Sequence, residues 1–230
     1  MNNRFQDRVL LFFKFHPVTG VLLSINAVMV FVVLWAGGFT IPNLIRYGAI
    51  FPPFITEFGE YYRLLAAMFL HGSLVHFLMN SFVLYYLGGH LERLVGPLRY
   101  GILYFFAGLV SSVFVVFFGA ANTVTIGASG AIFGIIGGLL MLTFLRPKWF
   151  TEGAIRSIRQ LMIINLVFTF VVPNISIPGH LGGLIMGMAL FFILLPDKPW
   201  FFKRLDQMQS LYQPARTRRD DEDEDDIFKA

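Results

Sequence analysis

Apolar residues in this chain gather into long runs, separated by short stretches that hold most of the charge, proline and glycine. A hydrocarbon core about 30 Å thick is crossed by about 20 consecutive apolar residues in a helix. Six such spans are predicted, at roughly 18–37, 73–91, 98–119, 128–145, 159–173 and 179–196. Each is read as a helix, because lipid offers backbone N–H and C=O groups no other partner. The segment 38–72 breaks the pattern. It carries Ile41, Leu44, Ile45, Ile50, Phe51, Phe54, Tyr61 and Tyr62, with Pro42, Pro52 and Pro53 interrupting any long helix. So many large apolar groups do not suit a water-exposed loop, and the segment is expected to lie in the outer interface, partly buried against the bundle.

Composition agrees with this reading. The 230 residues are 56% hydrophobic and only 14% charged, where a soluble domain has about a quarter charged. The chain contains no cysteine, which excludes disulfides, thiolate metal sites and a cysteine nucleophile. Residues 1–17 carry Arg4, Arg8 and Lys14 but no cleavage signal before the first span, so no removable signal peptide is expected.

Charge distribution gives the topology. With a cytoplasmic N-terminus, that side holds Arg4, Arg8, Lys14, Arg93, Arg99, Arg146, Lys148, Arg156, Arg159 and every Lys and Arg from Lys198 onward. The opposite side keeps Arg46 and Arg63. This asymmetry places both termini in the cytoplasm. Basic residues beside spans report topology and give no reason to expect nucleic acid. Three regions follow: a cytoplasmic N-terminal segment 1–17, a six-span domain 18–196, and a cytoplasmic tail 197–230. The tail opens on an interfacial set, Trp200 to Arg204, and later passes from RTRR to seven acidic residues, Asp220–Asp226. Such a run repels itself and is expected to be disordered.

Ionisable and strongly polar groups within spans are costly and therefore functional candidates. Here they are His71, His76 and Asn80 near or in the second span, Ser129 in the fourth, and His180 in the sixth. His76 and Asn80 are spaced i, i+4 and share a helix face; they suit either polar contacts between helices or hydrogen-bond donation to a reacting group. Ser129 with Gly130 and Gly134, taken alone, reads first as a small-residue packing face, and Gly183 and Gly187 after His180 form a second one. Alternate spans run the same way, so His76, Ser129 and His180 all sit near the outer ends of their helices. If the glycine faces bring the fourth and sixth spans together, Ser129 meets His180. A hydroxyl is a poor nucleophile until a base takes its proton, and neutral imidazole is the usual base. His76, Asn80 and the backbone N–H of Ser129 would then be donors for the oxyanion of acyl transfer.

At these residues the chain resembles the rhomboid family of intramembrane serine proteases. The resemblance lies in HGSLVHFLMN (His71, His76, Asn80), YLGGHLE (Tyr86 to Glu92), GASGAIFG (Gly127, Ser129, Gly130, Gly134) and GHLGGLIMG (His180, Gly183, Gly187). They fall in the family's order on the second, fourth and sixth spans, and the resemblance covers roughly residues 18–196. It implies a six-transmembrane-helix, rhomboid-like all-α bundle with a partly membrane-embedded first external loop. It also implies a Ser129–His180 dyad with no carboxylate third member, and His76 and Asn80 as oxyanion stabilisers.

Phe133 stands where family members often have a Tyr stacked on the catalytic His, so orientation by packing alone is implied. Tyr62-Arg63 stands in place of a Trp-Arg pair, and Glu92 is implied to make structural contacts at the cytoplasmic end of span two. The implied substrates are single-span membrane proteins, cut near the outer face. The resemblance also implies that water reaches Ser129 from the external side and that the fifth span with the interfacial loop governs lateral access. The implied location is a prokaryotic cytoplasmic membrane; no cofactor and no metal are expected. Two other classes fit the residues less well. A catalytically inactive rhomboid-like client-binding protein usually lacks the Ser or the His, and both are present. A small transporter predicts an internal repeat and mid-membrane charges, which the sequence does not display.

Overall fold

Most of the longer helices in this protein begin where proline or a short hydroxyl side chain falls and end near glycine or proline. The structure, a computed structural model, describes residues 3–202. Its helices are α1 (Asn3–Phe15), α2 (Pro17–Trp35), α3 (Ile41–Arg46), α4 (Pro52–Thr56), α5 (Arg63–Ala66), α6 (Leu74–Val83), α7 (Gly89–Val95), α8 (Pro97–Phe118), α9 (Ser129–Leu145), α10 (Glu152–Val171) and α11 (Ile177–Leu194). A π-turn, Leu84–Gly88, joins α6 to α7, so Leu74–Val95 runs as one helical segment. Among the described residues there is no strand, only an isolated antiparallel bridge between Ile50 and Thr125.

The protein is an integral, multi-pass membrane protein of all-α class. Helices α2, α8, α10 and α11 are each long and apolar enough to cross a membrane, and Leu74–Val95 forms a further candidate span with the bent segment before it. The apolar α9, at 17 residues, is about 25 Å long. Each of the six expected spans thus corresponds to a helix. The largest difference is in the fifth, which starts at Glu152 rather than near 159. Thr151 caps it by accepting a hydrogen bond from Ala154 N at 3.2 Å, and the helix carries Arg156 and Arg159 before its apolar stretch. Charged side chains near a span end can reach out to water, so charge marks the limit of the hydrocarbon and not of the helix.

Helix α9 is the centre of the bundle. Every residue from Gly130 to Thr143 is buried, as an all-round apolar helix requires. Its two neighbours approach through small residues. A Cβ on Gly183 or Gly187 of α11 would fall on the carbonyls of Gly130 and Gly134. Gly130 and Gly134 themselves face α8, where a Cβ would collide with Ser111 and Ala107. Thus Gly183 and Gly187 of α11 admit the α9 backbone, while Gly130 and Gly134 of α9 chiefly admit α8 and Gly137 and Gly138 lie against α11. Close backbone approach of this kind lets dispersion contacts accumulate where no water is available to drive association.

At the other end of the bundle, the Glu92 carboxylate of α7 caps α2. It accepts hydrogen bonds from Val18 N (2.8 Å), Thr19 N (2.9 Å) and Thr19 Oγ1 (2.7 Å). An anion here satisfies N–H groups that the first turn leaves without helical partners. Gly96, at φ +90°, turns the chain from α7 into α8. Helix α1 was not assigned from the sequence, which treated 1–17 only as a flanking segment; it lies against the bundle with Phe12 stacked on Tyr85 at 4.9 Å.

The segment 38–72 folds as short helices, with Pro42 and Pro52 in first turns. Leu44, Ile50, Ile55, Ala67, Met68 and Leu70 are buried, whereas Ile41, Phe58, Tyr61 and Tyr62 stay exposed. Arg63, itself buried, organises the segment. It donates to the carbonyls of Ile45 (2.6 Å) and Ala49 (3.1 Å) and to Glu60 (2.6 Å), and lies over the Phe54 ring. The expected basic-then-acidic tail, beyond residue 202, lies outside the described residues. Before it, Phe201 packs under the Arg93 guanidinium, 4.7 Å from ring centroid to carbon.

Candidate active site

Three helix N-termini carry the polar residues that the sequence singled out. His76 is in the first turn of α6, Ser129 opens α9, and His180 is in the first turn of α11. Each start has a local cause. Ser73 caps α6 by accepting from His76 N at 3.1 Å; Ser176 caps α11 by accepting from Gly179 N at 3.2 Å. The approach to Ser129 is tied to the first connecting segment: Thr125 exchanges two 2.9 Å backbone bonds with Ile50, and Gly127 N donates to Ala67 O at 2.8 Å. Gly127 then turns at φ +123° into the helix, a conformation that side chains disfavour.

The structure brings Ser129 and His180 together across the α9–α11 contact. Ser129 Oγ is 2.9 Å from His180 Nε2. The imidazole lies flat on Phe133, with centroids 4.1 Å apart and planes inclined by 18°. Its other nitrogen, Nδ1, is 2.9 Å from Thr169 Oγ1 of α10. Ser129 is partly exposed, whereas Thr169 and His180 are buried. As the first residue of α9, Ser129 has a backbone N–H with no partner inside the helix.

His76 also stands close to Ser129. A Cβ on Gly127 would lie 3.0 Å from His76 Nε2 and 3.6 Å from Ser129 Oγ. Glycine leaves that point open, so the hydroxyl and the imidazole nitrogen face a shared small space. Asn80, one turn along the same face, is buried, and its amide nitrogen has no hydrogen-bond partner among the described residues. An unspent buried donor is costly unless something accepts from it. His71 is buried too, with its ring edge-on to His76 at 5.1 Å. Among the described residues no three His, Asp or Glu side chains gather as metal ligands.

One functional candidate was missed in the sequence: Thr169. It lies in an apolar span with Asn165 one turn before it, a polar pair on one helix face. Only that pairing hinted at it, and nothing in the sequence says which way the pair points.

Comparison with known proteins adds the family. The model of the Rhomboid domain matches residues 58–197, more than half of the chain. The chain belongs to the rhomboid family. Rhomboid protease GluP of Bacillus subtilis (strain 168) is 35% identical over 189 residues, covering 81% of this chain and 37% of GluP. RHOMBOID-like protein 4 of Arabidopsis thaliana is 34% identical over 153 residues, 65% of this chain and 39% of that protein. The chain thus spans about two fifths of the length of these two relatives. The Bacillus subtilis protein YdcA is 28% identical over 195 residues, 81% of this chain and 93% of its own length. The rhomboid match includes every residue of the site described above, from His71 to His180.

Proposed function

We propose that this rhomboid is an intramembrane serine endopeptidase acting through Ser129 and His180. The observation that carries the reading is the 2.9 Å approach of Ser129 Oγ to His180 Nε2, which is hydrogen-bond distance for a nucleophile and its base. Ser129 Oγ attacks the scissile carbonyl as its proton passes to Nε2. The carbonyl oxygen becomes an oxyanion, received by the Ser129 N–H, His76 and the Asn80 amide. As the carbonyl re-forms, the C–N bond breaks and Nε2–H protonates the departing amine. Water then attacks the acyl-enzyme with His180 again as base, releasing the acid and restoring Ser129. A positioned base contributes about 10²–10⁴-fold to such a step, and one oxyanion donor about 10²–10³-fold.

The substrates are membrane proteins with a transmembrane segment, cut in or near it. The charge distribution supports cytoplasmic termini with the site toward the opposite face, and the membrane in this reading is that of a prokaryotic cell. The test is incubation of the full chain, with Ser129→Ala and His180→Ala, with a single-span model substrate and a fluorophosphonate. Cleavage and labelling are expected in the parent chain alone; cleavage that persists in Ser129→Ala overturns the mechanism.

A further inference from the structure

Helix α10 faces outward along most of its length, and Thr169 is its one buried residue among the described residues. That residue is the one that touches His180. Hydrogen-bond accounting assigns the direction of the contact. Thr169 Oγ1 is 2.8 Å from the Asn165 carbonyl, which can only accept, so the single hydroxyl hydrogen is committed there. What Thr169 presents to His180 Nδ1, at 2.9 Å, is therefore a lone pair. Nδ1 must carry the hydrogen. A neutral imidazole has one N–H, so Nε2 is bare where it faces Ser129 Oγ.

We propose that Thr169 is a positioning residue that holds His180 in the tautomer able to take the Ser129 proton, and that this hold exists only while α10 is seated on α11. The proposal rests on the serine-protease reading given above. Thr169 touches neither substrate nor the reacting atoms. When Nε2 takes the Ser129 proton, the imidazolium keeps its Nδ1–H on Thr169. When Nε2–H passes to the leaving amine, the same tautomer returns, ready for the attacking water. The place that a carboxylate fills in a triad is here filled by a neutral acceptor on a peripheral helix. Without that acceptor His180 is free to move its hydrogen to Nε2, which leaves Ser129 without a base. The seating of α10 and the competence of the dyad are thereby linked through one hydrogen bond.

The test uses the full chain, labelled with ¹⁵N-histidine, in detergent micelles and in bilayers. His180 is assigned by the signal lost in His180→Ala. The expected result is hydrogen on Nδ1 in the parent chain and in Thr169→Ser, and a shift toward Nε2–H in Thr169→Val, which keeps the shape but lacks the acceptor. Fluorophosphonate labelling of Ser129 is expected to slow by roughly tenfold in Thr169→Val, as loss of one hydrogen bond allows, and to recover in Thr169→Ser. Hydrogen on Nε2 in the parent chain overturns the proposal, whatever the variants do. So does a Thr169→Val protein with the parent's tautomer and labelling rate. If the parent chain neither cleaves nor labels, the protease reading fails, while the nitrogen spectra still decide the role of Thr169.

Discussion

His180 lies flat on Phe133, with ring centroids 4.1 Å apart. A ring stacked this closely cannot tilt without losing contact across its whole face. Phe133→Ala is expected to lower kcat by roughly tenfold to a hundredfold, the scale at which small misplacement of a catalytic group is felt. Phe133→Tyr, which keeps the ring, should stay near the parent value. Steady-state cleavage of a single-span substrate by the three proteins makes the comparison.

His76 and Asn80 carry donors that the resting structure does not spend on Ser129. If they receive an oxyanion, Ala at either position should lower kcat by roughly a hundredfold with little change in KM. Thermal unfolding in detergent should stay close to the parent. Large destabilisation with normal turnover per folded molecule would assign both to contacts between helices instead.

The α9–α11 contact has no room for a side chain at Gly183, because a Cβ there meets the Gly130 carbonyl. Backbone cannot step aside as a side-chain tip can. Gly183→Ala should destabilise by about 1–3 kcal/mol and slow cleavage as well, since Gly130 adjoins Ser129. Gly153, exposed in the first turn of α10 with its nearest neighbour atom 4.0 Å from a built Cβ, is the control. Gly153→Ala should be neutral or stabilising by up to about 1 kcal/mol. Reversible unfolding in mixed micelles measures both.

Glu92 is fully buried and accepts three hydrogen bonds at the start of α2. Glu92→Gln turns one acceptor oxygen into a donor that faces the N–H groups of Val18 and Thr19. A loss of about 1–3 kcal/mol in stability is expected, with turnover per folded molecule unchanged. A drop in turnover without loss of stability would contradict the structural assignment of Glu92.

Some of this protein was legible in one dimension because lipid removes alternatives. Backbone in hydrocarbon must be helical, so run length announced the spans, and the cost of burying polar groups singled out Ser129, His76, Asn80 and His180. Glycine pairs announced close helix contacts, though not which neighbour each pair would serve. Gly130 and Gly134 turned out to face Ser111 and Ala107 of α8, with the α11 glycines reaching α9 from another side.

What the sequence determined by itself, then, was the order of the apolar helices and the polar residues near the starts of three of them. Tertiary structure alone decided the rotation of each helix about its own axis. An apolar stripe would have announced that angle, but the apolar part of α10 is interrupted only by Asn165 and Thr169, and that pair does not say which neighbour it faces. Its rotation is set by the surfaces of its neighbours, and that rotation puts Thr169 on His180 Nδ1. The 2.9 Å contact follows from packing between segments, which no local pattern of residues encodes.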